Sequence, residues 1–248
     1  MSETPGSDET LDEFHRGRVR LLQPKKGYRF ALDAPLLADF VPAGPNDEIL
    51  ELGTGNGVIP ILLSIKPFRR LTAVELQDPL FDLARRNVAL NGLADKIEII
   101  RADLRSFRPG RRYDIVLSNP PYVRKGSGFP SPSLEKSIAK QEITCDIMEV
   151  MEAAAELLKP RGKVCFVFPA ARRQDLLETA RSRGLYPRRL RDVHPRRGDA
   201  ANLFLSEFRF RAGRIETLEP LILYGEDGEQ TPETRAICEG RPHDPSRR

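Results

Sequence analysis

One segment limits the possible folds more than any other. DEILELGTGNGVIPILLSIK runs from a short β-prone stretch, 47 to 52, through three alternating glycines into helically spaced apolar residues, 58 to 66, stopped by Pro67. Strand, glycine turn, helix is the opening unit of a parallel α/β sheet, and the rest of the chain repeats it. LTAVEL, 71 to 76, predicts a second strand. In DPLFDLARRNVALNG, Asp78 serves as N-cap, Pro79 opens the helix and Asn91-Gly92 stops it. IEIIRADL, 97 to 104, and YDIVLSNPPY, 113 to 122, read as two more strands, apolar enough to be covered on both faces. A helix over 145 to 158, a turn at LKPRGK, a strand at 164 to 168 and a helix in AARRQDLLETARSRG follow. VHPRRGDAANLFLSEFRF then reads as a loop feeding a long strand with no helix after it. The expected architecture is one doubly wound α/β sheet with an antiparallel edge finish, over residues 14 to 235.

Composition narrows the class. No run approaches the roughly 18 apolar residues of a membrane span. The N-terminus MSETPGSDETLDEF lacks the basic start and apolar core of a secretory signal, which predicts a cytoplasmic protein. Three cysteines without a CxxC pair, and only three histidines, predict neither a disulfide framework nor a metal site. Residues 1 to 13 carry five acids and no base, and 236 to 248 are mostly polar with prolines; both are expected to be disordered tails. The formal charge is only +4, so local clustering matters more than the total. Arginines and lysines gather at 16 to 29 (Arg16, Arg18, Arg20, Lys25, Lys26, Arg29). Seven arginines against the single acid Asp192 lie between Arg181 and Arg197, with His194 beside them. Such clusters either contact phosphates or solvate exposed faces.

The candidate site residues fall at successive strand ends. Gly53, Gly55 and Gly57, with Thr54 between them, would let backbone amides approach a ligand, or simply make a tight turn. The GxGxG spacing differs from the GxGxxG of dinucleotide-binding turns. Glu75, eighteen residues beyond Gly57, is placed to accept from both hydroxyls of a ribose, or is an exposed acid. Asp103, followed by Leu104, is placed to accept from an adenine amino group, or caps a turn. Together they fit an adenosine lying across the top of the sheet.

Asn119-Pro120-Pro121-Tyr122 is the most specific local signal. The prolines fix φ and restrict the residues before them, holding the Asn119 side chain and the Pro120 carbonyl as rigid acceptors. An exocyclic amine conjugated to a ring is a poor nucleophile. Accepting both of its N–H groups localises the lone pair, and the same dipoles stabilise the charge that develops. Tyr122 would stack on a flat substrate, worth about 1 to 3 kcal/mol.

With Glu51 ahead of GxGxG, the pattern resembles the S-adenosyl-L-methionine site of class I methyltransferases. That resemblance implies a Rossmann-like seven-stranded sheet and a place for Glu51 near the sulfonium and amino-acid end, with Asp33 a second candidate there. NPPY resembles amino-methyltransferases acting on adenine, guanine or protein glutamine. Segments 23 to 40, 193 to 210 and 220 to 233 are together similar to the bacterial tRNA adenine-N(6)-methyltransferases that modify the adenosine beside the anticodon of a valine tRNA, a likeness spanning about 18 to 235. It implies an RNA partner, with tRNA favoured, and Tyr28, Arg29, Phe30 and Asp33 as pocket residues. The chain departs from the pattern within 125 to 143, where Ala139, Lys140, Gln141 and Glu142 stand in place of Ala-Arg-His-Glu. Phe129 in that stretch is either part of a lid over the target base or a loop contact. Rival readings are a glutamine methyltransferase for release factors, an rRNA amino-methyltransferase, a non-catalytic S-adenosyl-L-methionine-binding protein and a nucleotide-binding oxidoreductase.

Overall fold

A computed structural model describes residues 4–26, 31–120 and 146–241. The chain opens with a two-stranded hairpin, β1 (Glu9–Phe14) and β2 (Val19–Pro24), then α1 (Asp33–Phe40). The alternating core is β3 (Glu48–Leu52), α2 (Val58–Leu63), β4 (Arg70–Glu75), α3 (Asp78–Leu90), β5 (Ile97–Arg101), β6 (Tyr113–Ser118), α4 (Ile147–Leu157), β7 (Leu158–Pro169) and α5 (Arg173–Ser182). It closes with β8 (Tyr186–His194), β9 (Leu203–Arg209), the two-residue strands β10 (Glu216–Thr217) and β11 (Leu221–Ile222), and α6 (Pro232–Cys238).

The sheet runs β10-β8-β9-β7-β6-β3-β4-β5, with β11 also on β8. Strands β3 to β7 are parallel and β9 is antiparallel to both neighbours, so the antiparallel edge finish is observed. Order reverses at β3, and the crevice at the carboxyl ends of β3 and β6 is where ligands of open α/β sheets bind.

Strand pleating divides the core. Ile49, Leu71, Ala73, Ile115 and Leu117 pack toward α1, α2 and α3, while Leu50, Leu52, Val74, Val116, Phe166 and Phe168 pack toward α4 and α5. Glu51 and Glu75 share the parity of Ile49 and Ala73. Both acids therefore fall on the α1–α3 side of the sheet at its carboxyl edge.

Three expectations are corrected. Residues 9 to 13, expected in a disordered tail, form β1, paired residue for residue with β2. One of its acids has a partner far along the chain: Arg86 grips Glu9 at 2.6 and 2.8 Å and holds its carboxyl below the usual range. Residues 236 to 238, expected in the second tail, end α6, where Ala236 and Ile237 are buried and Thr231 caps the first turn. The turn expected at LKPRGK is absorbed into β7, where the register jumps from Tyr113↔Leu158 to Ile115↔Lys163. β8 was read only as a basic cluster; its arginines extend along half-buried strand positions, and Arg189 stacks on the Phe40 ring. Among the described residues no helix is long and apolar enough to cross a membrane.

Candidate active site

The glycine turn is built by left-handed backbone. Gly53, Gly55 and Gly57 have φ of 73, 59 and 79°, values that disfavour any side chain. At Gly57 space is tight as well, since a Cβ would lie 3.1 Å from the Ala84 Cβ of α3, which would have to give way. The amides of Gly53 and Thr54 donate to the Val74 carbonyl at 2.9 and 3.0 Å, tying the turn to β4.

Glu51 lies under this turn, fully buried. Thr54 Oγ1 donates to its Oε2, while its Oε1 has no hydrogen-bond partner among the described residues. Burial pushes the carboxyl up to about 8, against the Thr54 hydrogen bond, with the nearby Glu75 adding to the rise. A buried acid with an unpartnered oxygen suits a cation, and the sulfonium and ammonium of S-adenosyl-L-methionine are cations. The residues present therefore fit the methionine end of that cofactor.

Glu75 ends β4. Its Oε2 accepts from the Gly55 amide at 2.8 Å, and its Oε1 from the Leu76 and Gln77 amides at 3.0 and 2.9 Å. Burial raises its carboxyl, offset by these three amides. About four lone-pair sites on a carboxylate, less three occupied, leave room for one ribose hydroxyl rather than the two expected from sequence. Asp103 lies two residues past β5 and holds Arg105 by both its guanidinium and its amide, the latter at 2.9 Å. That contact holds its carboxyl below the ordinary range and shows the turn role weighed in the sequence. Leu104 is half-buried against the α4–α5 core. Asp33 is the first residue of α1 and accepts from the Ala34 amide at 2.9 Å.

Asn119 is half-buried and Pro120 buried, directly past β6. Leu117 pairs with Glu51 across the β3–β6 register, so Asn119 stands two residues beyond the partner of the buried acid. Ser118 Oγ locks this corner by donating to the Leu52 carbonyl at 2.7 Å. The structure thus gathers Glu51, the glycine turn, Glu75 and Asn119 at the switch point. Tyr28, Arg29, Phe30, Pro121, Tyr122 and the segment from 125 to 143 lie outside the described residues.

Sequence reading missed two asparagines. Asn87 of α3 accepts from the Leu22 amide at 2.6 Å and donates to the Leu22 and Asn56 carbonyls at 3.0 and 2.9 Å, pinning the hairpin and the glycine turn to one helix. Asn56 is fully buried, and its side-chain amide has no partner among the described residues. An Asn between two glycines was the available signal for the second; the first carries none, because its partners are distant in sequence.

The basic clusters are partly structural. Arg16 pairs with Glu239, and Arg18 donates to the Glu239 and Gly240 carbonyls at 3.1 Å, so this cluster fastens the hairpin to the chain end. Arg183 pairs with Glu152 and Arg191 with Glu233. Arg196 and Arg197 are exposed in the connection between β8 and β9. Since Val193 pairs with Leu203, and Pro169 with Leu203, that connection projects from the same carboxyl edge as Asn119.

Comparison with known proteins identifies the family and the fold. Residues 32–180 match the family described as the methyltransferase small domain. A protein of Tolumonas auensis named tRNA1(Val) (adenine(37)-N6)-methyltransferase is 29% identical over 236 residues, 94% of this chain and 96% of its own. One of the same name from Porphyromonas gingivalis is 28% identical over 241 residues, 92% and 94% of the two chains. Among solved structures, a predicted O-methyltransferase from Agrobacterium tumefaciens superposes with a TM-score of 0.66 at 20% identity, over 86% of this chain and 98% of that one. A tRNA m1G37 methyltransferase from M. jannaschii gives 0.56 at 14% identity, over 83% and 58%. At these identities the structural likeness speaks for the fold.

Proposed function

We propose that this chain, which belongs to the methyltransferase small domain family and uses S-adenosyl-L-methionine, methylates the exocyclic amine of an adenine in tRNA, at position 37 as its relatives' names state of them. The observation that carries the reading is the placement of Asn119 and Pro120 beside the buried Glu51 at the switch point of the sheet.

When bound, the cofactor supplies an electrophilic methyl group on a positively charged sulfur. Glu51 would hold that charge, the glycine turn would admit the ligand to its backbone, and Glu75 would take a ribose hydroxyl. Asp103 would take the adenine amino group in exchange for one of its contacts to Arg105. Asn119 Oδ1 and the Pro120 carbonyl accept the two N–H groups of the target amine, which turns its lone pair toward the methyl donor and stabilises the positive nitrogen until it sheds one proton to solvent. Tyr122 stacks on the base, and an anticodon loop offers such a base without melting a duplex. Arg196 and Arg197, on the same edge, neutralise phosphates.

Asn119→Ala tests the assignment. Cofactor affinity stays as in the wild type while methyl transfer to tRNA falls by about 10² to 10³, the range for loss of one preorganised charge-stabilising partner. Unchanged transfer would remove Asn119 from the reaction.

A further inference from the structure

At the other end of the sheet lies a second cavity, of about 630 Å³, lined by Arg188, Arg189, Arg209 and Arg214 with Glu207 and Glu216. It lies at the amino ends of the parallel strands: Tyr186 pairs with Arg209, six residues of β9 below the Leu203 that marks the carboxyl edge. Strand rise puts it about 20 Å from that edge, outside the methyl-transfer site. Four guanidinium groups against two carboxylates leave the lining with an excess of two positive charges.

The arginines are not equivalent. Glu207, 3% exposed, is held by Arg209 at 2.7 Å and by Arg189 at 3.6 Å, so its charge is already matched. Arg189 also donates to the Phe40 carbonyl and stacks on the Phe40 ring, and its buried Nε has no partner among the described residues. Arg188 is fixed from behind by the Arg214 and Arg211 carbonyls at 3.2 and 3.3 Å. The loop wraps it so closely that a Cβ on Gly213 would lie 2.7 Å from its Nη1. Among the described residues Arg214 has no acidic partner. A preoriented guanidinium with an unpaired one beside it forms a site for a tetrahedral phosphate oxyanion rather than a solvated rim.

We propose that this cavity binds a phosphate group, presented either by the backbone of an RNA or by a small phosphorylated molecule. The pocket's chemistry is independent of the tRNA reading; only the RNA arm of the test rests on it. The amides of Glu216 and Thr217 are followed by NMR while inorganic pyrophosphate is titrated into the full chain. Wild type shows saturable shifts, and Arg214→Glu and Gly213→Val each weaken binding at least tenfold while S-adenosyl-L-methionine affinity and the melting profile stay unchanged. Binding of an RNA stem-loop is measured in parallel. A tenfold loss in Arg214→Glu, with a salt slope reduced by about 1, assigns the phosphate to RNA. Intact RNA affinity with lost pyrophosphate binding assigns it to a small ligand. No saturable response to pyrophosphate in the wild type, together with unchanged RNA affinity in both variants, overturns the proposal. A wild type that binds pyrophosphate but no RNA leaves the pocket standing and sinks the tRNA reading instead.

Discussion

Glu51 makes the cofactor's affinity depend on pH. In the free protein its carboxyl is raised to about 8 by burial, so at about pH 7 roughly a tenth of the molecules carry the carboxylate and at about pH 6 roughly a hundredth. A cation beside Oε1 favours the ionised form, so binding expels a proton. The apparent affinity is reduced by the fraction of ionised protein, giving about a tenfold gain per pH unit between 6 and 7.5 and a plateau above 8. Calorimetry in two buffers of different ionisation enthalpy measures this directly, as about one proton released per cofactor at pH 7. Glu51→Gln removes the titrating group, and whatever slope it retains belongs to the ligand. An identical slope and proton count in wild type and variant would refute the reasoning. The same shift acts on folding with a definite sign: the free protein holds a proton that the unfolded chain releases near 4.5, so its stability falls as pH rises from there through 8. The Gln variant lacks that fall.

Other substitutions separate site from scaffold. Glu75→Ala leaves the Gly55, Leu76 and Gln77 amides without their acceptor, so it weakens cofactor binding by about 1 to 3 kcal/mol and lowers the melting temperature; a variant with unchanged affinity would sink the ribose assignment. Gly57→Ala combines left-handed backbone with a contact to Ala84 and costs about 1 to 3 kcal/mol in chemical denaturation, more than Gly53→Ala, where a Cβ meets nothing within 4 Å; equal costs would show that the α3 contact is irrelevant. Arg196→Glu with Arg197→Glu reduces tRNA affinity more at low salt than at high salt and leaves cofactor affinity alone; a salt-independent effect would contradict a phosphate role.

The parallel core was legible because local signals agreed with it. Apolar runs, Pro79 in the first turn of α3, the stop at Asn91-Gly92 and three left-handed glycines all act over a few residues. What escaped was held by long-range pairs. β1 looked like a tail because its acids seemed uncompensated, yet Glu9 meets Arg86 seventy-seven residues away. β8 read only as a basic cluster, either phosphate-binding or solvated, whereas Arg189 lies over Phe40 and Arg191 reaches Glu233. Within the site, Glu51, Glu75 and Asn119 lie at the carboxyl edge of the sheet, where strand length and pleat parity put them. The occupancy of Glu75 by three amides and of Asp103 by Arg105 depends on local backbone geometry that spacing does not encode.

The most direct test of the central claim is transfer of labelled methyl from S-adenosyl-L-methionine to unmodified tRNA, rRNA and a release factor in parallel, followed by nucleoside analysis. The account predicts label in tRNA alone, as N(6)-methyladenosine, lost when the adenine at position 37 is replaced by guanine. Label confined to the release factor would contradict it and move the chemistry of Asn119 and Pro120 to a glutamine amide.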